Sequence, residues 1–121
     1  MQHRILIIED QKEVALVLQE YLNEHGFLTE VATNGREAIK KFRIRAFDVL
    51  LTDFRLPDLD GISVVNTCRK LSPKVRVIYL TGYNMQLRKS KVKTGPDCQI
   101  IEKPCRPQKI LDAVNHILCL K

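Results

Sequence analysis

Arg4-Ile-Leu-Ile-Ile-Glu-Asp10 is the stretch that decides the fold. Four consecutive aliphatic residues, Ile5 to Ile8, end abruptly in two acids. A strand wetted on one side alternates apolar and polar positions, so a continuous, β-branched run of this kind suits a strand buried on both faces. Similar runs recur at residues 29–32, 49–52, 75–80 and 99–101. The segments between them change period. Val14, Val17, Leu18, Tyr21 and Leu22 draw a stripe along one face of a helix that Gly26 closes. Asn34 offers an N-cap to a second helix with Ala38, Ile39 and Phe42 as its buried side. A third runs from Ile62 to Leu71 and is stopped by Pro73, and a last one carries Pro107 in its first turn and Ile110, Leu111, Val114, Ile117 and Leu118 at core spacing.

Strand and helix therefore alternate from end to end. With connections this short, the strands must be parallel and joined by right-handed crossovers, with helices on both faces. The expectation is an α/β chain, a three-layer αβα sandwich forming one domain over residues 1–121. Ligands of such open sheets bind beyond the carboxyl ends of the strands.

Composition supports a self-sufficient core and excludes several classes. The chain has 121 residues, 45% of them apolar, which rules out disorder, collagen and coiled coil. No apolar run approaches the roughly 20 residues of a membrane span, and Glu9-Asp10 cuts the first one below the length of a signal-peptide core, so a cytoplasmic location is expected. Cys68, Cys98, Cys105 and Cys119 show no C-x-x-C pairing and read as reduced, structural thiols. The net charge of +6 is unevenly spread: residues 1–60 carry eight basic and eleven acidic side chains, residues 61–121 twelve basic and three acidic. One face is expected to be cationic, Arg88, Lys89, Lys91 and Lys93 contributing most densely.

The strand ends gather the chemistry. The first closes on Glu9-Asp10, the third on Asp53, the fourth on Thr81, the fifth on Lys103-Pro104. Three crowded carboxylates raise one another's pKa unless a cation neutralises them, and an oxygen-only cluster suits Mg²⁺. Asp53, on the central strand, is the natural nucleophile; Lys103 balances the charge, and the short Thr81 hydroxyl must move to reach a phosphoryl oxygen, which makes it a sensor. Taken singly, each has a plainer reading: an acid or threonine after a strand caps a helix, and a lysine before proline is a solvated charge.

The motifs Ile-Ile-Glu-Asp at 7–10, Leu-Leu-Thr-Asp at 50–53, Leu-Pro-Asp-Leu-Asp-Gly at 56–61, Tyr-Leu-Thr-Gly at 79–82 and Glu-Lys-Pro at 102–104, in this order and spacing, resemble the receiver domain of bacterial two-component response regulators. The resemblance spans essentially the whole chain. It implies a flavodoxin-like fold with a five-stranded parallel sheet of order 2-1-3-4-5 and five helices. It implies a phosphorylation-dependent switch rather than a turnover enzyme: Asp53 takes a phosphoryl group from a sensor histidine kinase or histidine phosphotransfer protein. Asp10 would bind Mg²⁺ directly and Glu9 through water, with Asp53 and the backbone carbonyl of Arg55 completing the set. Lys103 would reach the carboxylate and later the phosphate, across a cis Lys103-Pro104 bond. The signal would leave through the fourth helix, fifth strand and fifth helix toward a downstream protein, the chain acting as a monomer or a phosphorylation-dependent dimer.

Three departures stand out. The aromatic residue that usually follows the moving threonine is Ile100 here, which weakens the coupling or passes it to another group such as Tyr83; Tyr83 is equally read as a surface residue shielding the pocket mouth. Arg55 flanks the same opening, facing either phosphate or solvent. The fourth helix, expected over residues 84–93, has only Met85, Leu87 and Val92 as apolar positions and should be short or mobile. Its basic side chains either are solvated or dock an acidic partner; direct nucleic-acid binding is not expected without interleaved aromatics. Cys105, where the family favours a bulkier apolar residue, reads first as packing. The ending suggests a stand-alone receiver over a fragment. The alternatives are a degenerate receiver that binds partners without phosphorylation and, more remotely, a metal-dependent phosphohydrolase with an aspartyl intermediate, which is disfavoured because the pair in Asp58-Leu59-Asp60 lies in a proline turn and not at a strand end.

Overall fold

The computed structural model describes residues 2–82 and 90–119. Five strands, β1 (Arg4–Ile8), β2 (Leu28–Ala32), β3 (Val49–Asp53), β4 (Arg76–Thr81) and β5 (Cys98–Glu102), form one parallel sheet of order β2-β1-β3-β4-β5. Among the described residues there are four helices rather than five: α1 (Lys12–Glu24), α2 (Gly35–Ile44), α3 (Gly61–Leu71) and α4 (Pro107–Ile117). Much of the expected fourth helix, together with Tyr83, Arg88 and Lys89, lies outside the described residues. Its end does not: residues 90–97 contain turns and an isolated bridge from Gly95 to Cys98. Gly95-Pro96 opposes a helix there, since proline disfavours the αR conformation in the residue before it.

The sheet separates two apolar cores. Ile5, Ile7, Val49, Leu51, Ile78 and Leu80 point to the side covered by α1 and α4. Leu6, Ile8, Leu50, Val77 and Tyr79 point to the side covered by α2 and α3. Both faces of every central strand are therefore buried, which is why their sequences run apolar without alternation.

Local chemistry fixes the helix ends. Asn34 accepts from the Glu37 amide at 2.8 Å, as its N-cap position predicts. Asp58, from the loop after β3, accepts from the amides of Gly35 at 2.8 Å and Arg36 at 3.0 Å, so the first three amides of α2 are all satisfied. Asp60 caps α3 through the Ile62 amide at 2.8 Å. Gly26 ends α1 with φ of 93°, a left-handed conformation that favours glycine.

One expectation about α1 needs correction. Val14 and Val17 lie on the predicted apolar stripe, yet Val17 is 57% exposed, and the buried side of the helix is Ala15, Leu18 and Leu22. The stripe is wider than the core it covers. Its extra width lines a groove described below.

Candidate active site at the carboxyl edge of the sheet

Parallel strands deliver their last residues to one edge, and adjacent strands bring side chains far apart in sequence together. Register places Ile8 beside Thr52, Asp53 beside Leu80 and Thr81 beside Glu102. Glu9 continues the ladder beyond β1, its amide donating to the Ala32 carbonyl at 2.9 Å. The structure thus brings together Glu9, Asp10, Asp53, Thr81 and Lys103.

Lys103 is the electrostatic centre. Its Nζ lies 2.8 Å from Asp53 Oδ1 and 3.3 Å from Glu9 Oε1. Burial pulls the ammonium pKa down, but contact with both carboxylates outweighs it and holds Lys103 above its usual value. Glu9 is only 3% exposed, and its other oxygen accepts from the Gln11 amide at 3.2 Å. Burial first, then the nearby Asp53 charge, raises the Glu9 pKa despite Lys103. Burial likewise raises Asp53, with Lys103 opposing and Asp10 adding to the rise. One ammonium therefore does not neutralise the cluster.

One carboxylate oxygen from each of Glu9, Asp10 and Asp53 lies within 4.8 Å of the others. An oxygen-only set graded from buried Glu9 to exposed Asp10 leaves room for water and fits a small hard cation. The residual negative charge points the same way. Beside the cluster, Asp53, Phe54, Arg55, Leu80, Gly82 and Lys103 line a small cavity of about 180 Å³.

The remaining predicted residues fall around this centre. Thr81 is 1% exposed, and its hydroxyl donates to the Gly82 carbonyl over a long 3.3 Å. Its own carbonyl accepts from the Lys103 amide at 2.7 Å, tying β4 to the lysine's backbone. The Lys103-Pro104 peptide is cis. Arg55 is exposed, in an isolated bridge to Asp60. Ile100 is half-buried against the α2–α3 core, beside Tyr79 in the sheet register. Cys105 is half-buried and packs against the other core; burial raises its thiol pKa despite Lys109 and Lys103, in keeping with a packing role. All four cysteines are free thiols.

Sequence reasoning missed two supports. Gly61 sits where an added Cβ would fall 2.1 Å from the Asp53 carbonyl oxygen, and its amide donates to the Phe54 carbonyl at 2.7 Å, so α3 begins pressed against the backbone of the nucleophile's strand. The signal was present: a glycine directly after a helix cap, where any side chain would otherwise serve. The second is Phe54, fully buried and stacked on Tyr79 with ring centroids 4.6 Å apart. A bulky apolar residue in a loop beside an acid gave no periodic pattern to read.

The response regulator receiver domain family matches this chain over residues 5–115. The chain belongs to that family. The receiver is 31% identical to the sporulation initiation phosphotransferase F of Bacillus subtilis over 121 residues, covering 100% of this chain and 98% of that one. It is 25% identical to the chemotaxis protein CheY of Thermotoga maritima over 118 residues, 97% and 98% of the two chains. Among solved structures, a response regulator receiver protein from Sinorhizobium medicae superposes with a TM-score of 0.86 at 28% identity, covering 98% of this chain and 95% of that one. The receiver has the flavodoxin-like sheet order that its motifs implied. Its acidic cluster fits the Mg²⁺ site of receiver domains, which accept phosphoryl groups from histidine kinases or phosphotransfer proteins.

Proposed function

We propose that this receiver is a cytoplasmic, phosphorylation-dependent signalling switch whose phosphoacceptor is Asp53. The observation that carries the reading is the convergence of Asp53, a 2.8 Å lysine partner and two further carboxylates, with Asp53 and Lys103 lining a small cavity.

Lys103 holds Asp53 Oδ1, which leaves the second carboxylate oxygen as nucleophile. That oxygen forms the new bond to phosphorus as the phosphorus–nitrogen bond of a partner's phosphohistidine breaks, and the electron pair returns to the imidazole. Glu9, Asp10, Asp53 and the Arg55 carbonyl are the residues that would hold Mg²⁺. When bound, the ion neutralises the cluster and stabilises charge on the phosphoryl oxygens. Lys103 then shares its protons between the phosphoryl group and Glu9.

Phosphorylation replaces one negative charge with about two and adds strong acceptors. Thr81 gives up a long neutral hydrogen bond for a charge-assisted one, an exchange worth about 1–2 kcal/mol in favour of moving. Since Tyr79 shares its strand, stacks on Phe54 and pairs with Ile100, a displacement of Thr81 reaches β5 through packed groups. Ile100 carries no hydroxyl to report the change, so the output surface senses packing instead of a new hydrogen bond. Asp58 and Asp60 are both helix caps, which argues against their use as the acid pair of a phosphohydrolase.

The test is incubation with Mg²⁺ and acetyl phosphate, followed by intact mass measurement. One base-labile phosphoryl adduct, absent in Asp53→Asn, supports the switch. Continuous phosphate release from unrelated esters would favour a hydrolase, and absence of any adduct would favour a degenerate module that binds without phosphorylation.

A further inference from the structure

The two helical layers carry very different charge. Residues 35–45 and 61–76, which hold α2, α3 and the turns that end them, contain nine lysines and arginines and a single acid, Glu37. On the opposite side of the sheet, α1 contains three acids and one lysine, and α4 one of each. The sandwich is therefore polarised across its sheet, and the excess lies on the side away from α1.

Helix termini explain only part of this. Lys41 and Arg43 in the last turn of α2, and Arg69 and Lys70 in that of α3, complement the helix dipoles. The others do not fall in last turns. Internal pairing also leaves a remainder: Arg36 meets Asp58, Lys41 meets Glu37, Arg45 meets Glu30 and Arg69 meets Asp97. Among the described residues, Lys40, Arg43, Lys70 and Lys74 are exposed and belong to no ion pair.

Aliphatic side chains lie at the same end. Each helix links parallel strands, so α2 and α3 run side by side in one direction. They press together at their starts, where a Cβ on Gly35 would meet Val64 Cγ2 at 2.8 Å. At their ends, Arg43 acts electrostatically on the buried Cys68 of α3. The last residue of α2, Ile44, is 68% exposed, and the last of α3, Leu71, is 52% exposed. Each exposed aliphatic thus closes its helix beside unpaired cations, Ile44 next to Lys40 and Arg43, and Leu71 next to Lys70 and Lys74, at the edge of the sheet opposite Asp53.

We propose that this α2–α3 surface docks an acidic, amphipathic segment of a partner protein, its carboxylates on Lys40, Arg43, Lys70 and Lys74 and its apolar side chains on Ile44 and Leu71. Charge complementarity selects the acid, and the two aliphatics select a protein over a nucleic acid: a phosphate backbone would cover them with no apolar match. No aromatic residue stands among α2 and α3's exposed positions to stack a base. The surface is separate from the acid cluster, so a partner here and a phosphodonor at Asp53 do not compete for the same atoms.

The experiment uses a fluorescent synthetic peptide with glutamates and leucines at helical spacing, followed by anisotropy at near-physiological salt. A duplex DNA, phosphatidylglycerol vesicles and the receiver alone at rising concentration run alongside. Peptide binding that falls about tenfold or more in the quadruple variant Lys40→Glu, Arg43→Glu, Lys70→Glu, Lys74→Glu, and severalfold in Ile44→Ser, Leu71→Ser, supports the proposal. Circular dichroism establishes that each variant is folded, and single charge reversals substitute for any that is not. No peptide binding, binding indifferent to these substitutions, tighter binding of DNA or vesicles than of peptide, or self-association lost in the same variants would each overturn it.

Discussion

Glu9→Gln should stabilise the metal-free protein, although it deletes an ion pair with Lys103. The balance follows from the distances. With an effective dielectric constant of about 20, the 3.3 Å contact with Lys103 is worth about 5 kcal/mol of attraction, and repulsion from Asp53 at 4.8 Å or less amounts to about 3.5 kcal/mol or more. Exposed Asp10 adds a screened fraction, and the two sides nearly cancel. Burial decides. A carboxylate at 3% exposure pays a desolvation penalty that the neutral amide avoids, while the amide oxygen still accepts from Lys103 or Gln11. The net gain should be about 1 kcal/mol, a shift of roughly 3–5 °C in Tm for a chain of this length.

The pH dependence carries the same sign. A carboxyl pKa raised by folding means the native state binds its proton more readily than the unfolded chain. The penalty from Glu9 and Asp53 is absent below their unfolded values of 4.5 and 3.8, grows as pH rises through the raised values, and is constant above them. Urea titrations in EDTA at pH 7 and pH 4 read both effects. Glu9→Gln should lead wild type at pH 7 and lose most of that lead at pH 4, below the unfolded value of Glu9. Mg²⁺ at tenfold its Kd should add about 1.4 kcal/mol to wild type and less to the variant. A variant less stable than wild type in EDTA at pH 7, or gaining as much from Mg²⁺, would refute this reasoning.

Gly61→Ala should cost about 1–3 kcal/mol and reduce Asp53 labelling, because its Cβ meets backbone, which cannot rotate aside. Asp58→Ala should cost about 1 kcal/mol in denaturant midpoint and leave labelling intact. Slight burial would raise the Asp58 pKa, but the Gly35 and Arg36 amides outweigh it and hold the carboxyl low; the deficit should therefore disappear as pH falls through that lowered value. Thr81→Ala should change stability by about 1 kcal/mol at most and preserve labelling, while amide NMR shifts on phosphorylation contract to the residues around Asp53.

The fold was legible because each central strand is buried on both faces and each helix keeps a three-and-four apolar spacing, so local pattern and tertiary position agree. Asn34 and Pro107 marked their helix starts for reasons confined to the backbone. The α1 stripe misled because Val14 and Val17 line a larger cavity of about 740 Å³ beside Lys103 and Pro104, and apolar periodicity does not distinguish a core from a groove. The fourth helix of the resemblance is not legible from residues 84–93 for a related reason: polar and basic positions interrupt the spacing that would bury it. Of the site, the acids, Thr81 and Lys103 could be placed from strand ends alone. The Gly61 clearance and the Phe54–Tyr79 stack depend on how the loop after β3 returns against its own strand, which no single-residue pattern encodes.

Borohydride reduction of the acetyl-phosphate-treated protein identifies the phosphoacceptor itself, because it converts an acyl phosphate into an alcohol that survives digestion and reports the residue by peptide mass spectrometry. Modification is expected at residue 53 alone, dependent on Mg²⁺. Reduction at Glu9 or Asp10, or none at all on protein that carries the adduct mass, would contradict it.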